Sequence, residues 1–143
     1  MKSVRLAAAL LVSVVCGSAC ADDAGVKANG SLEGAGGADV FARICQGCHM
    51  PQAQGASGAG HYPALAGDPA LGSWQYVAVT VLLGRHAMPA FGTPANPEFV
   101  FGEVHISDAD IADVVNYVRS HFGNRYKDKA TAAKVAALPH PGS

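Results

Sequence analysis

The chain's 143 residues, half of them hydrophobic and 15% charged, suit a single globular domain. Ten basic residues face eleven acidic ones, for a net charge of −1. No basic stripe stands out, which argues against nucleic acid as a partner.

The chain opens on MKSVR, an apolar or small-residue run from Leu6 to Val15, and CGSACA before Asp22 and Asp23. A basic start, a short apolar core and an Ala19-x-Ala21 exit describe an export signal over residues 1–21. The run is too short to span a bilayer comfortably. The expected location is therefore the periplasm. Lipidation of Cys20 is the alternative and would tether the protein to a membrane, but Gly17 fits that signal poorly. Cleavage after Ala21 removes Lys2 and Arg5, moving the charge from −1 to −3, and leaves Cys45 and Cys48 as the only cysteines.

Residues 22–36 are rich in Gly and Ala without periodicity and read as a flexible lead-in. The domain is expected over 37–138, followed by a short tail, 139–143. ADVFARICQGCH puts Val40, Phe41, Ile44 and Cys48 at helical spacing. Gly36 and Gly37, just before it, would let another backbone approach closely. PQAQGASGAG reads as a loop, and HYPALAG (His61 to Gly67) as a compact apolar segment. Ser73 can cap a helix on which Trp74, Val77, Ala78, Val81 and Leu82 form an apolar stripe ending at Gly84. An irregular region from Arg85 to Gly102 is broken by Pro89, Pro94 and Pro97. Ser107 and Asp110 form a capping pair for a helix whose core face is Ile111, Val114, Val115, Val118 and Phe122, stopped by Gly123. Asp108, Asp110 and Asp113 read as its solvated side. TAAKVAAL, from Thr131, adds a short helical turn before PHPGS. No strand alternation is evident, and the expected class is all-α.

The chemical statement lies in CQGCH, Cys45 to His49. Two thiols and an adjacent imidazole in one tight segment suit covalent attachment of haem, with His49 beneath the iron. Zinc would require a second ligand pair, which the mature chain lacks. A redox dithiol would open a helix rather than end one. The ligating imidazole needs a hydrogen-bond acceptor on its other nitrogen. The carbonyl of Pro63 is a candidate, and an ordinary turn residue is the competing reading. Met50 adjoins His49 and cannot reach round to the far face. Met88, in a Pro-restricted loop between two helices, is favoured as the second axial ligand, with His86 as its rival. His61, His105, His121 and His140 read as loop, surface or tail residues.

FARICQGCH, YPALAG, GRHAMPAFG and ISDADIADVVNYVRSHFG, in that order, resemble the class I c-type cytochromes. YPALAG, MPAFG and VNYVRSHFGN followed by TAAKVAAL are similar to haem domains in cytochrome subunits of periplasmic alcohol and gluconate dehydrogenases. The resemblance implies a class I cytochrome c fold whose first and last helices cross, with Gly37 and Phe41 meeting Tyr117. It implies one haem c bound through Cys45 and Cys48, with His49 and Met88 on the iron. It also implies that Pro63 offers its carbonyl to His49 and that Leu65 packs on the ring. Trp74 or Tyr76 would lie near a propionate or pack in the core. The implied function is electron transfer rather than enzymatic catalysis. The implied partners are a periplasmic dehydrogenase as donor and a terminal oxidase or another cytochrome as acceptor. The relatives differ in carrying several haem domains and a C-terminal anchor. Two alternatives stand beside this reading: a five-coordinate haem enzyme or gas sensor, and a haem-anchored structural module.

Overall fold

The computed structural model describes residues 32, 34–92 and 105–142. The expected export signal and the prolines at 94 and 97 lie outside the described residues. A continuous helical rod comes first: α1 (Gly36–Val40), a π-helical turn (Phe41–Cys45) and α2 (Gln46–His49). The expected loop at 51–60 folds into a minimal antiparallel pair, β1 (Ala56–Ser57) with β2 (His61–Tyr62). A 3₁₀ turn (Pro69–Gly72) leads into α3 (Trp74–Leu83), followed by α4 (Asp108–Ser120) and α5 (Ala132–Ala136). The helical architecture is that expected from the sequence, with these two short strands added.

Each later helix starts where a side-chain oxygen meets an unpaired backbone donor. Asp68 accepts from Ala70 N at 2.9 Å, Ser73 from Tyr76 N at 3.2 Å and Thr131 from Lys134 N at 3.3 Å. Ser107 Oγ accepts from Asp110 N at 3.2 Å and donates to Asp110 Oδ2 at 2.5 Å. Asp110 Oδ1 accepts in turn from Gly34 N at 3.0 Å. Asp110 is therefore buried, a correction to its reading as part of a solvated face. Its carboxylate ties the chain before α1 to the start of α4.

The rod crosses α4 at Gly37. A Cβ there would lie 2.2 Å from Asp113 O and 2.7 Å from Tyr117 Cβ, so only glycine allows this approach. Of the two glycines expected to permit close contact, Gly36 faces open space. Beside the crossing, Phe41 packs 5.8 Å from the Tyr117 ring and 4.8 Å from Phe122, centroid to centroid. Val40, Leu82, Ile106, Ile111, Val115 and Val135 form the fully buried centre of the core. The stripe on α3 is only partly inward: Val77, Ala78 and Leu82 are buried, whereas Trp74 and Val81 are half-buried.

Three further expectations require correction. α4 ends at Ser120 rather than Phe122, whose φ of 55° turns the chain back so that its ring reaches Phe41. The tail beyond Leu138 is held: His140 Nδ1 lies 2.8 Å from Leu138 O and its Nε2 lies 2.9 Å from Asp108 Oδ1. Finally, Arg125, Lys127 and Lys129 form a short exposed basic row, although no basic stripe was evident in the sequence.

Both acceptors around His140 favour its two-donor, charged form, and the bond to Asp108 foremost raises its pKa above the ordinary value. A raised folded-state pKa gives stability that is complete below about pH 6.5, the unfolded value, and lost as pH rises through the folded one. The midpoint of urea unfolding should therefore fall as pH rises above about 6.5, and His140→Gln should flatten that decline. An identical slope in the variant would assign the decline to another group.

Candidate haem-binding site

A π-helical turn runs into CQGCH: Gln46 N–H bonds to Phe41 O, five residues back. His49, four residues after Cys45 and eight after Phe41, falls on the inward side. His49 is buried, Cys45 is half-buried and Cys48 is exposed, which corrects the placement of Cys48 on the apolar stripe.

His49 Nδ1 lies 2.9 Å from Pro63 O. A carbonyl only accepts, so Nδ1 carries a proton, and in the neutral ring the lone pair is then on Nε2. The segment after α2 sets the position of that carbonyl. Gly55 N donates to His49 O at 3.0 Å, and Ala53 O accepts from Leu65 N at 2.8 Å and Ala66 N at 2.9 Å. Gly55, at φ 67°, has Tyr62 O 2.4 Å and Ala64 N 2.6 Å from where a Cβ would be. From the other side, Asn124 Nδ2 donates to Leu65 O and Val118 O, both at 2.8 Å. Leu65 is half-buried against the core.

No disulfide joins Cys45 and Cys48. Burial, foremost, pushes the Cys45 thiol up to about 11. A redox dithiol or a zinc site needs an accessible thiolate, which this environment disfavours. No group of three His, Cys, Asp or Glu suited to a metal ion occurs among the described residues. A thioether has no proton to lose and suits the apolar setting of Cys45.

Met88 lies on a separate segment. Gly84 ends α3, and a tight turn follows in which Arg85 N bonds to Met88 O at 3.0 Å and Met88 N to Arg85 O at 2.9 Å. Phe91 N and Gly92 N then bond to Val81 O and Leu82 O, at 2.9 and 3.1 Å, folding the segment back onto α3. Met88 is half-buried, whereas its rival His86 sits at the turn with φ 53° and is exposed. His61, His105 and His121 are exposed. Met50, at φ 67°, ends α2. Tyr76 is 41% exposed and accepts a hydrogen bond from Arg85, and Lys134 lies 5.6 Å over the Trp74 ring.

The model of the cytochrome c family matches residues 34–122. The chain belongs to this family. Its class I fold follows, and covalently bound haem c is the family's cofactor. This cytochrome is 29% identical over 113 residues to the cytochrome c subunit of the quinone alcohol dehydrogenase of Gluconobacter oxydans (strain 621H), covering 78% of this chain and 23% of that one. It is 33% identical over 114 residues to the gluconate 2-dehydrogenase cytochrome c subunit of Pantoea cypripedii, with 71% and 23% covered. Against the fructose dehydrogenase cytochrome subunit of Gluconobacter japonicus it is 31% identical over 98 residues, with 62% and 19% covered. The chain thus spans about a quarter or less of these relatives' length.

The residues present fit such a cofactor: a fixed imidazole with a free Nε2, a neutral thiol in apolar surroundings and a second thiol one turn away. Gly55 and Asn124, which hold the Pro63–Leu65 segment, were not singled out in the sequence. Gly55→Ala would drive a methyl group into the carbonyl of Tyr62 and impose a strained φ. The expected cost is about 3 kcal/mol, with a lower haem content in the purified protein. Urea unfolding and the ratio of haem to protein absorbance measure the two effects. Unchanged values for both would show that this contact does not set the site.

Proposed function

We propose that this chain is a single-haem c-type cytochrome that carries one electron between periplasmic redox partners. Cys45 and Cys48 would hold the haem covalently, and His49 and Met88 would ligate its iron. The observation that carries this reading is the 2.9 Å approach of His49 Nδ1 to Pro63 O. When bound, the haem supplies a ferric–ferrous couple. The bond to Pro63 fixes the imidazole's tautomer and orientation and makes Nε2 a better donor. Met88, clamped in its turn, offers a soft thioether, a ligand that raises the reduction potential. Ligation of the iron by both side chains would leave no open position for substrate, as suits a carrier rather than an enzyme.

The named functions of the relatives support a dehydrogenase as electron donor. A terminal oxidase or another cytochrome would be the acceptor. The sequence pattern of residues 1–21 supports export to the periplasm, with the lipidated form at Cys20 as the variant reading.

Voltammetry of the purified holoprotein should give one reversible one-electron wave, and ferrous protein should bind carbon monoxide poorly. Ready carbon monoxide binding by high-spin iron would replace this reading with a five-coordinate enzyme or sensor. No reversible wave at accessible potentials would leave a structural module.

A further inference from the structure

Between α4 and α5 the chain runs through a non-helical strap in which alternate residues are tied to the body of the protein. Asn124 is anchored through Leu65 O and Val118 O. Tyr126 N donates to Arg119 O at 3.0 Å, and the Tyr126 ring lies 5.3 Å under the Arg119 guanidinium. Asp128 Oδ1 accepts from Arg119 Nη2 at 2.6 Å, and Ala130 N donates to Asn116 Oδ1 at 2.9 Å. The residues between them, Arg125, Lys127 and Lys129, are exposed, and all three are cationic.

The only carboxylate within the strap is Asp128, and the buried Arg119 neutralises it and holds its pKa below the usual carboxylate range. The outward charge of the row is therefore uncompensated from within. Lys134, exposed on α5, adds a fourth cation, its Nζ donating to Lys129 O at 3.2 Å. Along the strap, the Cα atoms of Arg125, Lys127 and Lys129 follow one another at no more than about 7 Å. Their backbone is pinned, so little conformational freedom is lost on docking.

We propose that this strap is a docking surface for an acidic protein face. The charge favours an anionic partner, and the side chains among the cations select its class. Tyr126 is turned inward, so the row offers no aromatic platform on which nucleic-acid bases could stack. Nor does it carry an exposed apolar side chain to enter a bilayer. A rigid row of cations without either suits carboxylates presented by a folded partner. Asn124 joins the strap to Leu65, two residues from the Pro63 carbonyl that holds His49. A partner docked here stands beside the segment that supports the proposed iron ligand. The docking claim itself does not depend on the haem reading.

The test uses the holoprotein and a ten-residue poly-glutamate peptide at low ionic strength. Binding should weaken about tenfold in Arg125→Gln/Lys127→Gln/Lys129→Gln and remain in the charge-conserving Arg125→Lys/Lys127→Arg/Lys129→Arg. Carbodiimide cross-linking should join the peptide to Lys127 and Lys129. Equal affinity in the glutamine variant, or cross-links confined to Lys27, would overturn the proposal. Binding to phosphatidylglycerol vesicles without binding to the peptide would also overturn it.

Discussion

The structure depends on the absence of a side chain at Gly37. There the backbone of α1 rests against Asp113 and the Cβ of Tyr117 at distances no other residue permits. This contact fixes the rod that carries Cys45, Cys48 and His49 relative to α4. His49 lies on the inward side of that rod, and Phe41 fills the space beside the crossing with Tyr117 and Phe122. Beyond α4, Asn124 bridges Val118 O and Leu65 O and so holds the segment that carries the Pro63 carbonyl. One crossing therefore positions both the imidazole and the carbonyl that orients it.

Most of the remaining order comes from buried polar side chains bound to backbone carbonyls. Arg119, 1% exposed, donates to Leu71 O, Gly72 O, Asp128 O and the Asp128 carboxylate. A cation buried with fewer partners would cost several kcal/mol, so this set of acceptors is what makes the site tolerable. Hydrogen bonds to a charged group contribute about 1.5–3 kcal/mol each. Arg119 thereby links the 3₁₀ turn before α3 to the strap after α4. Asn124 does the same for Leu65, which would otherwise be held only from the side of Ala53. The segment whose carbonyl meets His49 is thus fastened from both sides by groups that do not touch the imidazole.

Local rules made part of this legible. Serine and threonine caps, the apolar face of α4 and the thiol–imidazole motif each depend on neighbours within a few residues, and each is present. The π-helical turn was not legible, because FARIC reads as ordinary helix. Asp110 read as solvated since its partners, Gly34 and Ser107, are defined by tertiary approach as well as by capping. Arg119 did leave a signal: it falls four residues after Val115 and eight after Ile111, on the apolar stripe. A cation on that stripe pointed to a buried network. His140 gave none, as its partner Asp108 is 32 residues away. The basic row was hidden by the intervening Tyr126 and Asp128: the Tyr126 ring packs inward, and the exposed Asp128 carboxylate is paired with Arg119.

The central claim is that Met88 and His49 close the iron on both faces and so restrict the protein to electron transfer. The near-infrared spectrum of ferric holoprotein tests this most directly, by comparing the native chain with Met88→Ala. The native spectrum should show the weak sulfur-to-iron charge-transfer band, and the variant should lose it while gaining affinity for carbon monoxide in the ferrous state. A native spectrum without the band, or one unchanged in the variant, would contradict the assignment of Met88.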